Sequence, residues 1–177
     1  GAEDLHFRPL PQDSINEAYV ATERCPWRNQ LIQGEVHDDN AWIMGGVCGH
    51  AGLFGTLQSV HAAARQWLRL AIGRPNELGI APEIARLAFG PSAFVRDTSR
   101  FFGWDRRTPG RSTSGQYFGQ RSFGHLGFTG TSIWIDPEQE IIATLLTNRV
   151  CPTRGNPLIK TFRPAIHDMA VKMLQSE

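Results

Sequence analysis

The stretch between Thr131 and Thr147 constrains this chain most. Thr131-Ser-Ile-Trp-Ile-Asp136 and Ile141-Ile-Ala-Thr-Leu-Leu-Thr147 are two runs rich in β-branched, aromatic and aliphatic residues, and Pro137-Glu-Gln-Glu140 separates them. That pattern predicts a β-hairpin. The second run is apolar at consecutive positions, so both of its faces should be covered, as in a central strand. A lone hairpin is marginal in water, so further strands and packing helices are required. Phe101-Phe102-Gly103-Trp104 reads as one of those strands, and Gln116 to Phe128 should contain another.

Helical periodicity supplies the cover. Leu57, Val60, Ala64, Trp67, Leu68 and Ala71 mark one helix face, with Thr56 as N-cap and Gly73 as terminator. A shorter helix is expected from Pro82, with Ile84, Leu87 and Ala88 buried and Gly90-Pro91 at its end. Leu158, Phe162, Ile166, Met169 and Met173 form an amphipathic stripe that should place a C-terminal helix on the sheet. Helices, then an antiparallel sheet, then a packing helix is an α+β order. The expected division is an irregular lead with part of a helical subdomain over 1–100, and sheet strands with the C-terminal helix over 101–177. Residues 1–40 carry Pro9, Pro11 and Pro26 and no sustained periodicity. A lead that long and that poorly patterned is unusual in a compact domain.

Several function classes drop out on composition. The formal net charge is +1, which argues against nucleic acid as an obligatory partner. No apolar run approaches the roughly 18 residues of a membrane span. The N-terminal residues do not resemble a signal peptide, although a targeting signal could stand upstream, so the location is read as cytoplasmic or periplasmic according to that upstream sequence. Cys25, Cys48 and Cys151 are odd in number and far apart, which suits free thiols better than a disulfide framework or a zinc site. His37, Asp38 and His50 lack HExxH-like spacing, and Asp38-Asp39-Asn40 reads as a turn or helix start, so neither a metal nor another cofactor is expected.

Two stretches are more specific. One is Gly34-Glu-Val-His-Asp-Asp-Asn-Ala41 continuing to Gly45-Gly-Val-Cys-Gly-His-Ala-Gly-Leu-Phe-Gly-Thr56. The other is Phe123-Gly-His-Leu-Gly-Phe-Thr-Gly-Thr-Ser-Ile-Trp-Ile-Asp-Pro137, followed by Leu-Leu-Thr-Asn148. Together they resemble the serine hydrolases related to class C β-lactamases, from about residue 30 to the end of the chain. The resemblance implies the C-terminal portion of the β-lactamase/transpeptidase-like fold. It also implies acyl-serine hydrolysis of small-molecule esters, β-lactams or D-alanyl peptides.

In that family an active-site strand carries Lys-Thr-Gly or His-x-Gly, and the matching triplet here is His125-Leu126-Gly127. The resemblance gives His125 a catalytic role as a proton donor that can also bind a substrate carboxylate or carbonyl. Gly127, with Thr129 and Gly130, would let substrate lie against the strand. The backbone N–H of Phe128 would be one of two oxyanion-hole donors, a feature worth roughly 3–4 kcal/mol of transition-state stabilisation in a comparable enzyme.

The family's nucleophile is missing from these residues. No serine is followed by a lysine three positions on, the chain has only Lys160 and Lys172, and neither Tyr19 nor Tyr117 begins a Tyr-x-Asn element. A serine hydroxyl without such a base is a poor nucleophile. The chain is therefore read as an N-terminally truncated piece or degenerate copy of a hydrolase, itself inactive, tilted by its histidine towards an esterase or peptidase. The alternative is a non-catalytic binding or scaffold domain of the same fold. In the resembling family the 141–147 strand lies inside the sheet. Here its completion is expected from a homo-oligomer, by pairing or exchange with a second copy, or from a separate N-terminal segment.

Overall fold

The computed structural model describes residues 2–9, 14–90 and 100–176. The predicted hairpin is present as β8, Ser132–Asp136, paired antiparallel with β9, Ile141–Leu145, in a register that sets Trp134 opposite Ala143. Its turn is built by a buried carboxylate. Asp136 Oδ1 accepts from the N–H groups of Glu138 (2.9 Å) and Gln139 (3.1 Å). Its Oδ2 accepts from the Gly119 N–H (2.5 Å) and the Gln139 side chain (2.6 Å). An aspartate can be fully buried here because both oxygens are satisfied.

The sheet has five antiparallel strands, ordered β5-β6-β7-β8-β9. The first three are β5, Arg100–Phe101, β6, Trp104–Arg106, and β7, Phe123–Leu126. The stretch expected as a single strand at 101–104 is instead a hairpin turn. Phe102 (φ 46°) and Gly103 (φ 85°) occupy its two central positions, and Phe101 pairs with Trp104. Two consecutive left-handed residues reverse the chain with the twist a two-residue hairpin needs. Aromatic richness signalled the strand type, whereas the Phe-Gly dipeptide carried the turn.

Strand alternation divides the core between the two faces. Phe123, Ile133, Ile135 and Ile142 pack with Ala64, Leu68 and Leu70 of α3, Leu57–Ala71, and with Ala88 and Phe89 of α4, Pro82–Phe89. Phe118, Trp134, Ile141 and Ala143 pack with Val171 of α5, Ile159–Gln175. Thr56 caps α3 as expected, its hydroxyl accepting from the Ser59 N–H at 3.2 Å. The expected face of α4 is only partly right: Ala88 is buried, but Ile84 and Leu87 are exposed. With only Ala88 and Phe89 buried, α4 presents just its C-terminal end to the core.

A larger correction concerns α5. The stripe Leu158, Phe162, Met169 and Met173 is exposed, and the face turned inward is Ile159, Arg163, His167 and Val171. Two polar residues displace the apolar stripe because each finds partners in β8 or in the loops beside the sheet. His167 Nδ1 donates to the Thr113 carbonyl (2.8 Å) and Nε2 accepts from the Ser132 hydroxyl (3.1 Å). Burial holds the His167 imidazole below its ordinary pKa, so the ring is neutral and this tautomer suits both bonds.

Residues 1–40 contribute nothing to the five-stranded sheet among the described residues. They form β1, His6–Phe7, the short α1, Ile15–Ala18, and the ribbon of β2, Arg24–Cys25, with β3, Gln30–Leu31. β1 pairs with β4, Leu53–Phe54, just ahead of α3, and α2, Asp39–Ile43, lies between. Among the described residues β9 is a sheet edge. It is flanked by α3 and α5, and all five of its residues remain partly exposed. A groove of about 560 Å³ follows this edge, walled by Leu57, His61 and Ala62 on one side and Ile166 and Ala170 on the other. No described helix is long and apolar enough to cross a membrane.

Candidate active site

β7 carries the His-x-Gly triplet out of the core. Phe123 and Gly124 are buried while His125 is exposed. Gly124 must lack a side chain, since a Cβ there would stand 2.3 Å from the Ile133 carbonyl oxygen and 2.5 Å from the Trp134 ring. The strand therefore lies close against β8 and aims His125 away from the packed interior.

The loop from Gly127 to Thr131 is tied down through its carbonyls. Gly127 N–H donates to Thr131 O (2.8 Å) and Gly130 N–H to Gly127 O (3.1 Å). The buried Arg163 guanidinium reaches up from α5 and donates to Gly127 O (2.6 Å) and Thr131 O (2.7 Å). Arg149 Nε donates to Phe128 O (2.8 Å), its backbone N–H donates to Thr129 O (2.8 Å), and Thr147 Oγ1 donates to Gly130 O (2.7 Å). Every carbonyl of the loop has a donor. The Phe128 N–H, by contrast, has no acceptor among the described residues. Fixed carbonyls with a spare N–H beside an exposed imidazole form an arrangement suited to a developing oxyanion.

Gly130 is required for this geometry. Its φ of +124° lies outside the range of L side chains, and a Cβ there would sit 2.8 Å from Thr147 O and 2.9 Å from Arg149 N. Gly130→Ala should cost roughly 3 kcal/mol or more. Urea unfolding checks this, and a loss below about 1 kcal/mol would show that the loop is not held as described.

An ion-pair cluster around the buried Glu23 stands behind the loop. Glu23 is 3% exposed and lies 2.6 Å from Arg154 Nη2 and 2.9 Å from His37 Nε2. The Arg154 hydrogen bonds hold the Glu23 carboxyl down at about 2 against the opposing effect of burial, with His37 helping. The His37 ring stacks on the Phe128 ring, with centroids 5.6 Å apart. Asp38 caps α2 through the Ala41 N–H (2.8 Å) and pairs with the exposed His50 at 3.0 Å. These contacts hold its carboxyl below the ordinary value, the Ala41 N–H first. The expected helix start at Asp38-Asp39-Asn40 is thus present. Among the described residues no group of three or more His, Cys, Asp or Glu side chains could hold a metal ion.

The profile of the Beta-lactamase family matches residues 1–163. The chain belongs to the Beta-lactamase family. An N-acetylmuramyl-L-alanine amidase of Bacillus subtilis (strain 168) is 36% identical over 158 residues, which are 81% of this chain and 35% of that protein. A Salmonella gallinarum protein with the candidate assignment D-alanyl-D-alanine carboxypeptidase is 32% identical over 137 residues, 75% of this chain and 31% of that protein. This Beta-lactamase family chain spans about a third of the length of these curated relatives. No solved structure matches it significantly.

The structure brings His125, Gly127, Phe128, Thr129 and Gly130 together on one strand and loop, as their adjacency in sequence requires. Sequence reasoning missed Glu23, Arg149, Arg154 and Arg163 and gave His37 no role. Of these only His37 lies in a stretch that carries the resemblance, and Glu23 and Arg154 meet across 131 positions.

Proposed function

We propose that this Beta-lactamase family chain supplies the His-x-Gly half of an acyl-serine hydrolase site, with the nucleophile pair carried by a segment outside these 177 residues. His125 acts as proton donor and binds the substrate carbonyl or carboxylate. The Phe128 N–H is one oxyanion donor, and Gly127, Thr129 and Gly130 line the strand along which substrate lies. The single observation that carries this reading is the exposed His125 beside a loop whose carbonyls are all engaged while the Phe128 N–H is spare. The substrate is a small amide or ester. The relatives named as amidase and carboxypeptidase favour an amide. The chain on its own is inactive, because a serine hydroxyl needs a positioned base.

The absence of Ser-x-x-Lys supports the second reading, a binding or scaffold domain. One experiment addresses both. The purified chain is incubated with a chromogenic ester, a cephalosporin and a fluorescent serine-acylating probe, and intact mass is recorded. No turnover and no adduct are expected. Saturable hydrolysis abolished by a serine-directed inhibitor would overturn the claim that the nucleophile lies elsewhere. Joining the chain to a segment that carries Ser-x-x-Lys should then produce an adduct if the site is catalytic, and none if the domain only binds.

A further inference from the structure

The ring of Phe128 is 56% exposed on a loop, a setting in which a side chain ordinarily samples several rotamers. Here three groups hold it. The His37 imidazole stacks on it at an interplanar angle of 23°. The Arg149 guanidinium lies 4.3 Å from its centroid and that of Arg154 5.7 Å. Arg149 also holds two consecutive carbonyls that follow the ring, Phe128 O and Thr129 O. The ring and the backbone that follows it are therefore held by the same guanidinium, while the Gly127 carbonyl, in the peptide that bears the Phe128 N–H, is held by Arg163 and the Gly130 N–H.

Two of the three groups share one anchor. Glu23 Oε2 lies 2.9 Å from His37 Nε2 and 2.6 Å from Arg154 Nη2, and Arg154 Nε and backbone N donate to Oε1 at 2.9 and 3.2 Å. The Glu23 backbone is itself fixed. Its carbonyl accepts from Ile32 N–H (2.8 Å), and the neighbouring Arg24 N–H donates to Pro152 O (3.0 Å). The His37 carbonyl is fixed too, by Arg28 Nη2 at 3.1 Å. The Arg28 guanidinium in turn lies 5.0 Å and 4.8 Å from the Trp27 and Trp42 ring centroids. The lead of the chain thus reaches the loop tip through a continuous series of contacts.

We infer that Glu23 is a positioning residue for the Phe128 loop, acting through Arg154 and His37 to hold the Phe128 ring and, through it, the loop backbone that bears the Phe128 N–H. The catalytic meaning of that role rests on the oxyanion-donor reading above, whereas the brace itself is measurable without any activity. This gives the first forty residues a purpose that their lack of periodicity conceals: they carry a clamp, not a strand of the five-stranded sheet.

The test is heteronuclear NMR of the full 177-residue chain, following the Phe128 ring protons and the exchange of the Gly127, Gly130 and Arg149 amides. Glu23→Gln should move the Phe128 ring protons towards their unstacked shifts. It should also speed exchange of those amides by about tenfold, with the β8 amides of Trp134 and Ile135 unchanged. Arg154→Gln alters an exposed side chain and should act in the same direction, which keeps the test available if Glu23→Gln does not fold. His37→Phe keeps an aromatic face but loses the bond to Glu23, so it should move the Phe128 shifts part of the way and His37→Ala should move them further. Folded Glu23→Gln or Arg154→Gln protein with unchanged Phe128 shifts and amide protection overturns the inference. So does loss of protection spread evenly over loop and β8, since that marks general destabilisation. Neither result bears on the acylation assay, so failure of the brace and failure of the hydrolase reading are separable.

Discussion

Trp134→Ala should lower the unfolding free energy by about 3–5 kcal/mol, with little change in the overall fold. Trp134 is 1% exposed and stands on the α5 face of β8. It packs with Phe118 and Val171 and lies against the bare backbone of Gly124. Truncation removes most of a large aromatic side chain from a site whose walls are a helix and two paired strands, which cannot collapse freely into the space. Trp134 Nε1 has no hydrogen-bond partner among the described residues, so part of the indole's burial is already opposed by a desolvated N–H. Trp134→Phe should therefore cost well under half as much as Trp134→Ala. Urea unfolding of the pair, followed by circular dichroism with the slopes compared, decides it. Equal losses for Phe and Ala would mean that ring packing between sheet and α5 is not what the site contributes.

Self-association is the second large effect expected. β9 presents one edge to β8 and leaves the other unpaired among the described residues, between partly apolar walls from α3 and α5. An unpaired strand edge beside apolar surface is a template for another extended segment. In the chain by itself, the segment at hand is a second copy. We expect the purified chain to sediment as a dimer or larger species, with a weight-average mass that rises over about 1 to 100 μM. Ala62→Glu and Ala170→Glu place a carboxylate on either wall of the groove without touching the buried core, and each should shift the equilibrium towards monomer by at least about tenfold. A well-folded chain that stays monomeric over that whole range would refute the expectation. Association unaffected by either glutamate would place the contact elsewhere.

Local chemistry made much of this protein readable from sequence. The 131–147 hairpin follows from two β-rich runs and a short polar break. The helix from Leu57 follows from its periodicity, the Thr56 cap and the glycine that ends it. The candidate site residues from His125 to Gly130 are contiguous, so any fold that makes β7 delivers them together. What tertiary structure alone decided involves partners distant in sequence. The inward face of α5 is set by Arg163 and His167, residues that periodicity counts as polar and outward. They are buried because Gly127, Thr131, Ser132 and Thr113 offer bonding groups that no local pattern reveals. The Phe102–Gly103 reversal needed two consecutive residues at positive φ, and only the glycine signals one in sequence. The role of the irregular lead appeared only when Glu23 met Arg154 across 131 positions, because a buried carboxylate is stable where its cation stands, and sequence spacing does not say where that is.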